Sequence, residues 1–335
     1  MTLKQLKYLI CIADNGLNIS SAAEKLYTSQ PGISKQIKYL EAELGMQLFK
    51  RKGKSLVSIT SAGFEVIEKA RKILRESENI KRIAGDLSGE EEGKLSIATT
   101  HTQARYILPD IIKNFTQKYP KIDLELHQGT SEQIAELINT HQVDFAMATG
   151  AIKYFPSLKL LPLFNWNRII LVPKNHPISI KKISLESLSS YPLVTYIFSL
   201  TGDSSFKQAF LDKKLNPRVV FTARDADIIK TYVRIGMGVG VVASMTFEEN
   251  DSHDLTPIDA SNLFPEVTTW LGFPKDMVLR SYMKDFINML SPIYNNNLIK
   301  QIIDCNDQES IDILLSSITF PTYRFSSNKK KLTLN

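Results

Sequence analysis

The chain has 335 residues, 43% of them hydrophobic and 23% charged, the balance of a globular protein and too long for one typical domain. No apolar run approaches a membrane span and Met1-Thr2-Leu3-Lys4 leads into an amphipathic helix rather than a signal peptide, so a helical membrane protein is not expected and a cytoplasmic location is. The net charge of +6 is concentrated: residues 1–60 hold nine Lys/Arg against four Asp/Glu and residues 324–335 hold four basic residues and no acid, the layout of a polyanion-binding head on a separate, mildly acidic body.

Residues 2–14 read as an amphipathic helix closed by Asn15-Gly16. Two further helices follow, one over 20–26 with Asn18 or Ser20 as N-cap, the other running to Leu44. Tyr27-Thr28-Ser29-Gln30 makes the turn between them, and Pro31 falls in a first helical turn, where its missing N–H costs nothing. Ile33, Ile37, Leu40 and Leu44 give the second helix an apolar stripe, while Gln30, Ser34, Lys35 and Lys38 form a polar, basic face. This is a helix-turn-helix whose second helix suits a DNA major groove; the alternative is a helical hairpin with a solvated basic face. Two β-prone runs around a basic, Gly-containing turn come next and form a wing, with Lys50, Arg51, Lys52 and Lys54 placed to reach phosphates. A helix-turn-helix followed at once by a basic hairpin is far more specific than either alone.

Thr60 or Ser61 caps a helix running to Leu87. Val66, Ile73, Ile80 and Leu87 recur every seven residues, with Ala70, Ser77 and Ala84 as a second, small row. That is a coiled-coil seam, and it predicts dimerisation over the alternative of packing within its own domain. A polar, Gly-rich hinge covers 85–93. Beyond it strands and helices alternate: strands at 95–99, 122–128, 144–149, 158–163, 168–172, 192–197, 218–222 and 268–273, with helices at 106–118, 131–139, 204–212, 225–235, 280–290 and 297–316. A βαβαβ run predicts a mostly parallel sheet, and two chain crossings, near 163–164 and 260–264, predict two α/β lobes around a cleft.

Ligands of such sheets sit at the carboxyl ends of the strands. Three loops there carry hydroxyls: Thr99-Thr100-His101-Thr102-Gln103, Thr149-Gly150 and Thr201-Gly202, with Gly129-Thr130-Ser131 as a weaker fourth. Hydroxyls, amides and free N–H groups suit a small oxyanion, although each Thr or Ser could also be a helix cap. Trp166 could wall the cleft or fill the core. The five histidines, His101, His127, His141, His176 and His253, lack metal-ligand spacing, and Gly236-x-Gly238-x-Gly240 lacks nucleotide-binding spacing. Cys11 and Cys305 read as buried free thiols. No cofactor, metal or catalytic constellation is therefore expected, and an enzyme of anion or amino-acid metabolism is the disfavoured alternative.

The run AAEKLYTSQPGISKQIKYLEAELGMQLFKR, with its Leu40-Glu41 pair and LGxxLFxR ending at Arg51, resembles the DNA-binding head of LysR-type transcriptional regulators. TTHTQARY from Thr99, TYxFxxTG from Thr195, FTARDADIIKTYVRIGMGVGVVASM from Phe221 and LRSYMKDFI from Leu279 resemble its CysB/Cbl branch, which controls sulfur assimilation. The resemblance implies an α/β plan of winged helix-turn-helix (1–59), linker helix (60–88) and a two-lobed effector domain like periplasmic binding proteins (lobe I, 89–163 and 264–324; lobe II, 164–263); residues 325–335, which look unlike the family, read as a disordered basic tail. It also implies a homotetramer, double-stranded DNA as partner, and a cleft accepting sulfate, thiosulfate, O- or N-acetylserine or adenosine phosphosulfate. By matching position the ligand residues are Thr100, Thr102, Gln103, Thr149 and Thr201, with Trp166 nearby. Asp203 departs from the pattern, since relatives often carry a basic residue there and a carboxylate opposes anion binding unless paired. On DNA, Ser34, Lys35 and Lys38 are expected at base edges or nearby phosphates, Thr28, Ser29 and Gln30 on the backbone, and Arg51 and Lys52 on flanking phosphates. A binding protein acting without DNA is the alternative from another class, and the basic head argues against it.

Overall fold

A computed structural model describes residues 1–323 apart from 54, 90–91, 150–154, 156, 181–182 and 201–203. The expected basic tail thus lies outside the described residues. The chain forms two compact units, one of residues 1–91, 140–142 and 276–281, the other of 92–139, 143–275 and the residues from 282 onward.

The first unit opens with α1 (Leu3–Asp14), α2 (Ile19–Lys25) and α3 (Gln30–Leu44). Each start is fixed by a side-chain oxygen on a free N–H. Thr2 and Gln5 close a capping box, Asn18 accepts from Ser21 N–H, and Ser29 accepts from Gly32 N–H. The α3 stripe is buried as its spacing requires: Ile33, Ile37 and Leu40 join Leu6, Leu9, Ile12, Ala22 and Ala23 in one core. Gly45, at φ +66°, ends α3 in the left-handed conformation that glycine adopts without strain. The wing is antiparallel, β1 (Phe49–Lys52) on β2 (Ser55–Ile59), with a register break between Lys50 and Arg51. Thr60 then caps α4 (Ser61–Leu87) through Gly63 N–H and donates its own hydroxyl to Gln47 O at 2.7 Å. Gly63 is needed here because a Cβ would stand 2.2 Å from the Leu48 carbonyl oxygen. The seven-residue seam of α4 divides along its length. Val66 and Ala70 pack into the head's own core, whereas Ile73, Ile80, Ile83 and Leu87 are exposed.

The second unit contains two sheets. In chain order its elements are β3 (Gly93–Thr99), α5 (His101–Tyr106), α6 (Leu108–Lys118), β4 (Ile122–Gln128), α7 (Ser131–Asn139), β5 (Phe145–Thr149), β6 (Leu158–Trp166), β7 (Arg168–Pro173), α8 (Leu185–Ser189), β8 (Leu193–Tyr196), α9 (Ser205–Asp212), β9 (Val219–Ala223), α10 (Ala226–Arg234), β10 (Val239–Ala243), β11 (Leu255–Asp259), β12 (Val267–Pro274), α11 (Ser281–Leu290), α12 (Asn296–Asp304), α13 (Gln308–Leu315) and β13 (Thr322–Tyr323). Six strands in the order β13-β6-β12-β5-β3-β4 form the first lobe, and five in the order β11-β7-β10-β8-β9 form the second. β3 is parallel to both β4 and β5, and β8 to both β9 and β10, so one side of each sheet is parallel with ligand-type loops at its carboxyl edge. Phe145, Phe273 and Phe286 fill the first lobe, and Phe206, Phe210 and Phe264 the second. Each such ring contributes about 2 kcal/mol or more on burial.

Three expectations need correction. The helix read over 106–118 is α6, and the loop read before it over 99–103 is largely a second helix, α5, kept separate because an unbroken helix would drive the Pro109 ring into the carbonyl of Arg105. Pro109 instead sits in the first turn of α6. The helix read over 297–316 is also two: Cys305 is extended, and Asp307 caps the second through Ser310 N–H at 2.8 Å. Finally, β6 continues past the crossing expected at 163–164 through Trp166, held there by β12 and β13. Trp166 therefore ends a first-lobe strand, and Asn167 is the link to β7 of the second lobe. Among the described residues no helix is long and apolar enough to cross a membrane.

Candidate DNA-reading face and effector cleft

With its apolar stripe buried, α3 turns Gln30, Lys35 and Lys38 fully outward, and Ser34 is half-buried beside them. Lys35 Nζ lies 5.5 Å from the Tyr39 ring centroid, which presents the ammonium from the exposed face. Ser29 is exposed and spends its hydroxyl on the cap, and Thr28 is half-buried in the turn. On the wing Lys50 and Lys52 are exposed, while Lys54 lies outside the described residues. Arg51 differs from its expected role as a simple phosphate contact. Its Nη2 donates to Glu41 Oε2 at 2.7 Å, and Glu41 Oε1 accepts the N–H groups of Leu48 at 3.0 Å and Phe49 at 3.2 Å. One carboxylate thus ties the wing to the end of α3. The Leu40-Glu41 and LFxR signatures are the two halves of that latch.

In the second unit Thr100 caps α5 at the end of β3, but its hydroxyl takes no backbone N–H of that helix. Its hydroxyl donates to Gln103 Oε1 instead. Gln103 Nε2 donates to the Thr149 hydroxyl at 3.0 Å, and Thr149 is 3.1 Å from the Thr269 hydroxyl. Three residues expected from two loops are therefore one hydrogen-bonded row. Thr269 extends it from β12, which only strand pairing reveals, since Thr269 is register partner to Thr149. Thr102 is buried and turned toward the second lobe, where it meets the phenol of Tyr196. Burial pushes that phenol up to about 12, against the pull of Ala243 N–H, Thr102, Arg168 and Thr246. Thr130 is not drawn in: its hydroxyl accepts from Gln133 N–H at 3.3 Å and serves α7. Thr201, Gly202, Asp203 and Gly150 lie outside the described residues.

Trp166 is 4% exposed, and its Nε1–H has no partner among the described residues. The guanidinium of Arg168, which the sequence reading passed over, lies 5.5 Å from its ring centroid. The far end of α5 grips the second lobe: Arg105 Nη2 lies 3.1 Å from Glu248 Oε2, and Tyr106 donates to Asp227 Oδ1 at 2.8 Å. Burial first, and Asp227 second, push the Tyr106 phenol far up. Behind them Lys230 is buried 2.9 Å from Asp251, with Asp227 and Glu248 each at 3.6 Å. One turn and a half of helix therefore carries the polar row at its start and a cross-lobe clamp at its end.

Among the described residues His101, Asp225 and Asp227 bring one nitrogen and two carboxylate oxygens within 4.8 Å of one another. Asp225 is spent on capping α10, and Asp227 on Tyr106 and Lys230, so a cation would displace existing partners. The donors of the row and its neighbour Thr102, hydroxyls and an amide, are those of an oxyanion or carboxylate site.

Family models agree with both halves. Residues 3–64 match the bacterial regulatory helix-turn-helix protein, lysR family, and residues 88–292 match the LysR substrate binding domain. The chain is 43% identical over 323 residues to the HTH-type transcriptional regulator CysB of Haemophilus influenzae, covering 96% of this chain and 100% of that protein. It is 38% identical over 313 residues to the HTH-type transcriptional regulator cbl of Escherichia coli, covering 93% and 99%. The crystal structure of the cofactor-binding domain of the Cbl transcriptional regulator superposes with a TM-score of 0.60 at 37% identity, over 64% of this chain and 96% of that one. The chain belongs to the LysR family of helix-turn-helix transcriptional regulators, in its CysB/Cbl branch, and is a DNA-binding regulator of sulfur assimilation.

Proposed function

We propose that the chain is a cytoplasmic, homotetrameric switch in which a small anion or acetylated amino acid, bound between the lobes, resets the spacing of paired DNA heads. The observation that carries this reading is the hydrogen-bonded row Thr100–Gln103–Thr149–Thr269 at the carboxyl edge of the first lobe's parallel strands, with Thr102 beside it bonded to Tyr196 of the second lobe. Sulfate, thiosulfate, O- and N-acetylserine and adenosine phosphosulfate are the ligands whose oxygens suit these donors, and Thr201 is assigned to the same set by its matching position. A ligand that binds only when both lobes close on it shifts the population toward the closed form by its differential affinity. Lys35, Lys38 and Ser34 read base edges or nearby phosphates, and Thr28, Ser29, Gln30, Lys50 and Lys52 hold the backbone. Arg51 acts through the latch to Glu41 and offers its remaining N–H groups to a flanking phosphate. The similarity to Cbl supports a second reading of the targets, genes for sulfonate-sulfur use, with the same site and mechanism.

Calorimetry of the full chain against these five ligands tests the cleft. At least one should bind, and Gln103→Ala should weaken it by about tenfold or more, since the variant breaks the row in the middle and removes a charge-assisted bond. Unchanged affinity moves the effector elsewhere. For the head, Lys35→Ala with Lys38→Ala should lower operator affinity at fixed salt and reduce the salt slope by about 2 if both face phosphates. A variant with unaltered affinity and slope removes α3 from the groove.

A further inference from the structure

β6 is the strand that leaves the first lobe for the second: it ends at Trp166, and Asn167 leads into β7. β12 covers one of its edges from Leu158 to Trp166. The other edge meets only the two-residue strand β13, and an open strand edge leaves backbone N–H and C=O groups unmatched. The chain after residue 292, where the match to the substrate binding domain stops, supplies partners for that edge. One side chain takes both groups of Leu160: its N–H donates to Gln308 Oε1 at 2.8 Å, and Gln308 Nε2 donates to its carbonyl at 2.9 Å. The hydroxyl of the fully buried Tyr294 donates to the Pro162 carbonyl at 2.6 Å. The Asn165 N–H donates to the Pro321 carbonyl at 2.8 Å, and Thr322 and Tyr323 then pair in register with Asn165 and Trp166. Beside them the buried Lys159 donates to the carbonyls of Ile302, at 3.0 Å, and Ile303, in the last turn of α12, where the helix dipole favours a cation.

These contacts do not stop at the first lobe. Ser244, the residue after β10 of the second lobe, donates its hydroxyl to the Tyr323 carbonyl at 2.7 Å and its N–H to the Asn167 carbonyl at 2.9 Å. One second-lobe residue thus holds the crossing chain and the end of β13 side by side. The second crossing lies against the same place: the Thr268 hydroxyl donates to Asn165 Oδ1 at 2.8 Å, and Asn167 Nδ2 donates to Glu266 Oε1 at 3.4 Å. A hinge of two single-stranded crossings bends by changing φ and ψ at a few residues. A third strand fixed on both sides of the bend resists it. The Phe164 ring, 4.9 Å from that of Tyr323 and edge-on to it, adds apolar contact on the first-lobe side.

We infer that residues 294–323 form a strap on the inter-lobe hinge: anchored along β6 by Gln308, Tyr294 and Lys159, and tied to the second lobe through Ser244, the strap limits how far the lobes move before any effector arrives. It acts whichever ligand the cleft accepts. The anchors on the first lobe are many and the tie to the second is light, so the strap restrains the lobes without locking them. Loss of one neutral hydrogen bond shifts an opening equilibrium by about 2- to 10-fold, a step that a ligand with differential affinity for the two arrangements can match.

Hydrogen exchange of the full chain without ligand, read peptide by peptide, tests the strap with three variants. Ser244→Ala removes the tie and leaves the Ser244 N–H on Asn167. A chain stopped after Ile318 loses β13 and keeps Tyr294 and Gln308 in place. A chain stopped after Tyr323 keeps the whole strap and is the control. Exchange should quicken by about 2- to 10-fold in Ser244→Ala, and by more in the chain stopped after Ile318. The effect should reach beyond residues 158–167 to the second crossing, 260–266, and to α5, whose Arg105 and Tyr106 bridge the lobes. The control should exchange as the wild type does. If either variant, shown to be folded by its melting temperature, keeps wild-type exchange at 260–266 and in α5, the segment only covers a strand edge and the strap is overturned. A control that loosens as much as the shorter chain overturns it too, because the restraint would then lie beyond Tyr323. Should the chain stopped after Ile318 fail to fold, Ser244→Ala decides alone.

Discussion

At the scale of single residues, the head depends on a carboxylate whose neighbours in sequence do not explain it. Glu41 satisfies the N–H groups of two fully buried residues, Leu48 and Phe49, and pairs Arg51. Its replacement by Ala would leave those groups unmatched beside a partly buried guanidinium, at a cost of about 2–3 kcal/mol. Hydrogen exchange of residues 46–52 should then speed up by about tenfold or more, with the lobes unchanged. Unaltered exchange would remove the latch. The sequence displayed the Leu40-Glu41 and LFxR signatures, and the exposed lysines of α3 could be picked from periodicity. It could not show that Arg51 is engaged, because a separation of ten residues acquires meaning only once the wing turns back along α3. Arg168 was hidden for a similar reason: a lone Arg between Asn167 and Ile169 looks like any surface cation until β7 proves to be a central strand with both neighbours paired.

At the scale of elements, periodicity and caps located the helices and strands well, and failures fell at local breaks. Pro109 and Asp307 each end one helix and start another within a few residues, and both read as interior positions when only the apolar period is followed. Dividing the first of these had consequences for the site. Thr102 and Gln103 are not loop residues but lie in the first turn of α5, whose last turn carries Arg105 and Tyr106 into the second lobe. The seam between wing and linker helix is equally local. The first turn of α4 packs so closely on the segment leading into the wing that only Gly63 fits under the Leu48 carbonyl. Gly63→Ala must push backbone against backbone, and overpacking of this kind costs about 1–3 kcal/mol. A drop in the first thermal transition of the full chain, with the ligand-binding transition in place, is the expected result. An unchanged melt would mean that α4 yields at its start and that head and linker are not one rigid element.

At the scale of the whole molecule, the unresolved side of the first unit is its own surface. The heptad seam is split between two uses: its N-terminal half completes the head's core, and its C-terminal half exposes Ile73, Ile80 and Leu87, with Ile83 exposed beside them. An apolar hollow of about 290 Å³, lined by Met1, Leu6, Leu44, Val66 and Ile73 among others, opens at the point where the two halves meet. The fifteen residues from Ile73 to Leu87 span about 21 Å of helix, enough for three apolar layers on a second copy. Each large aliphatic side chain removed from water there contributes about 1.5–3 kcal/mol before ordering costs. If a single α3 reads half of a two-fold site, pairing through this stripe would supply the second head at high effective concentration. Replacing Ile80 and Leu87 together with Asp should therefore leave the head folded, since neither touches its core, yet yield a smaller species in sedimentation and an operator affinity weakened by about 100-fold at fixed salt. If the double variant sediments as the wild type does, the exposed stripe is not the interface, and the spacing of the heads is set by contacts of the effector lobes alone.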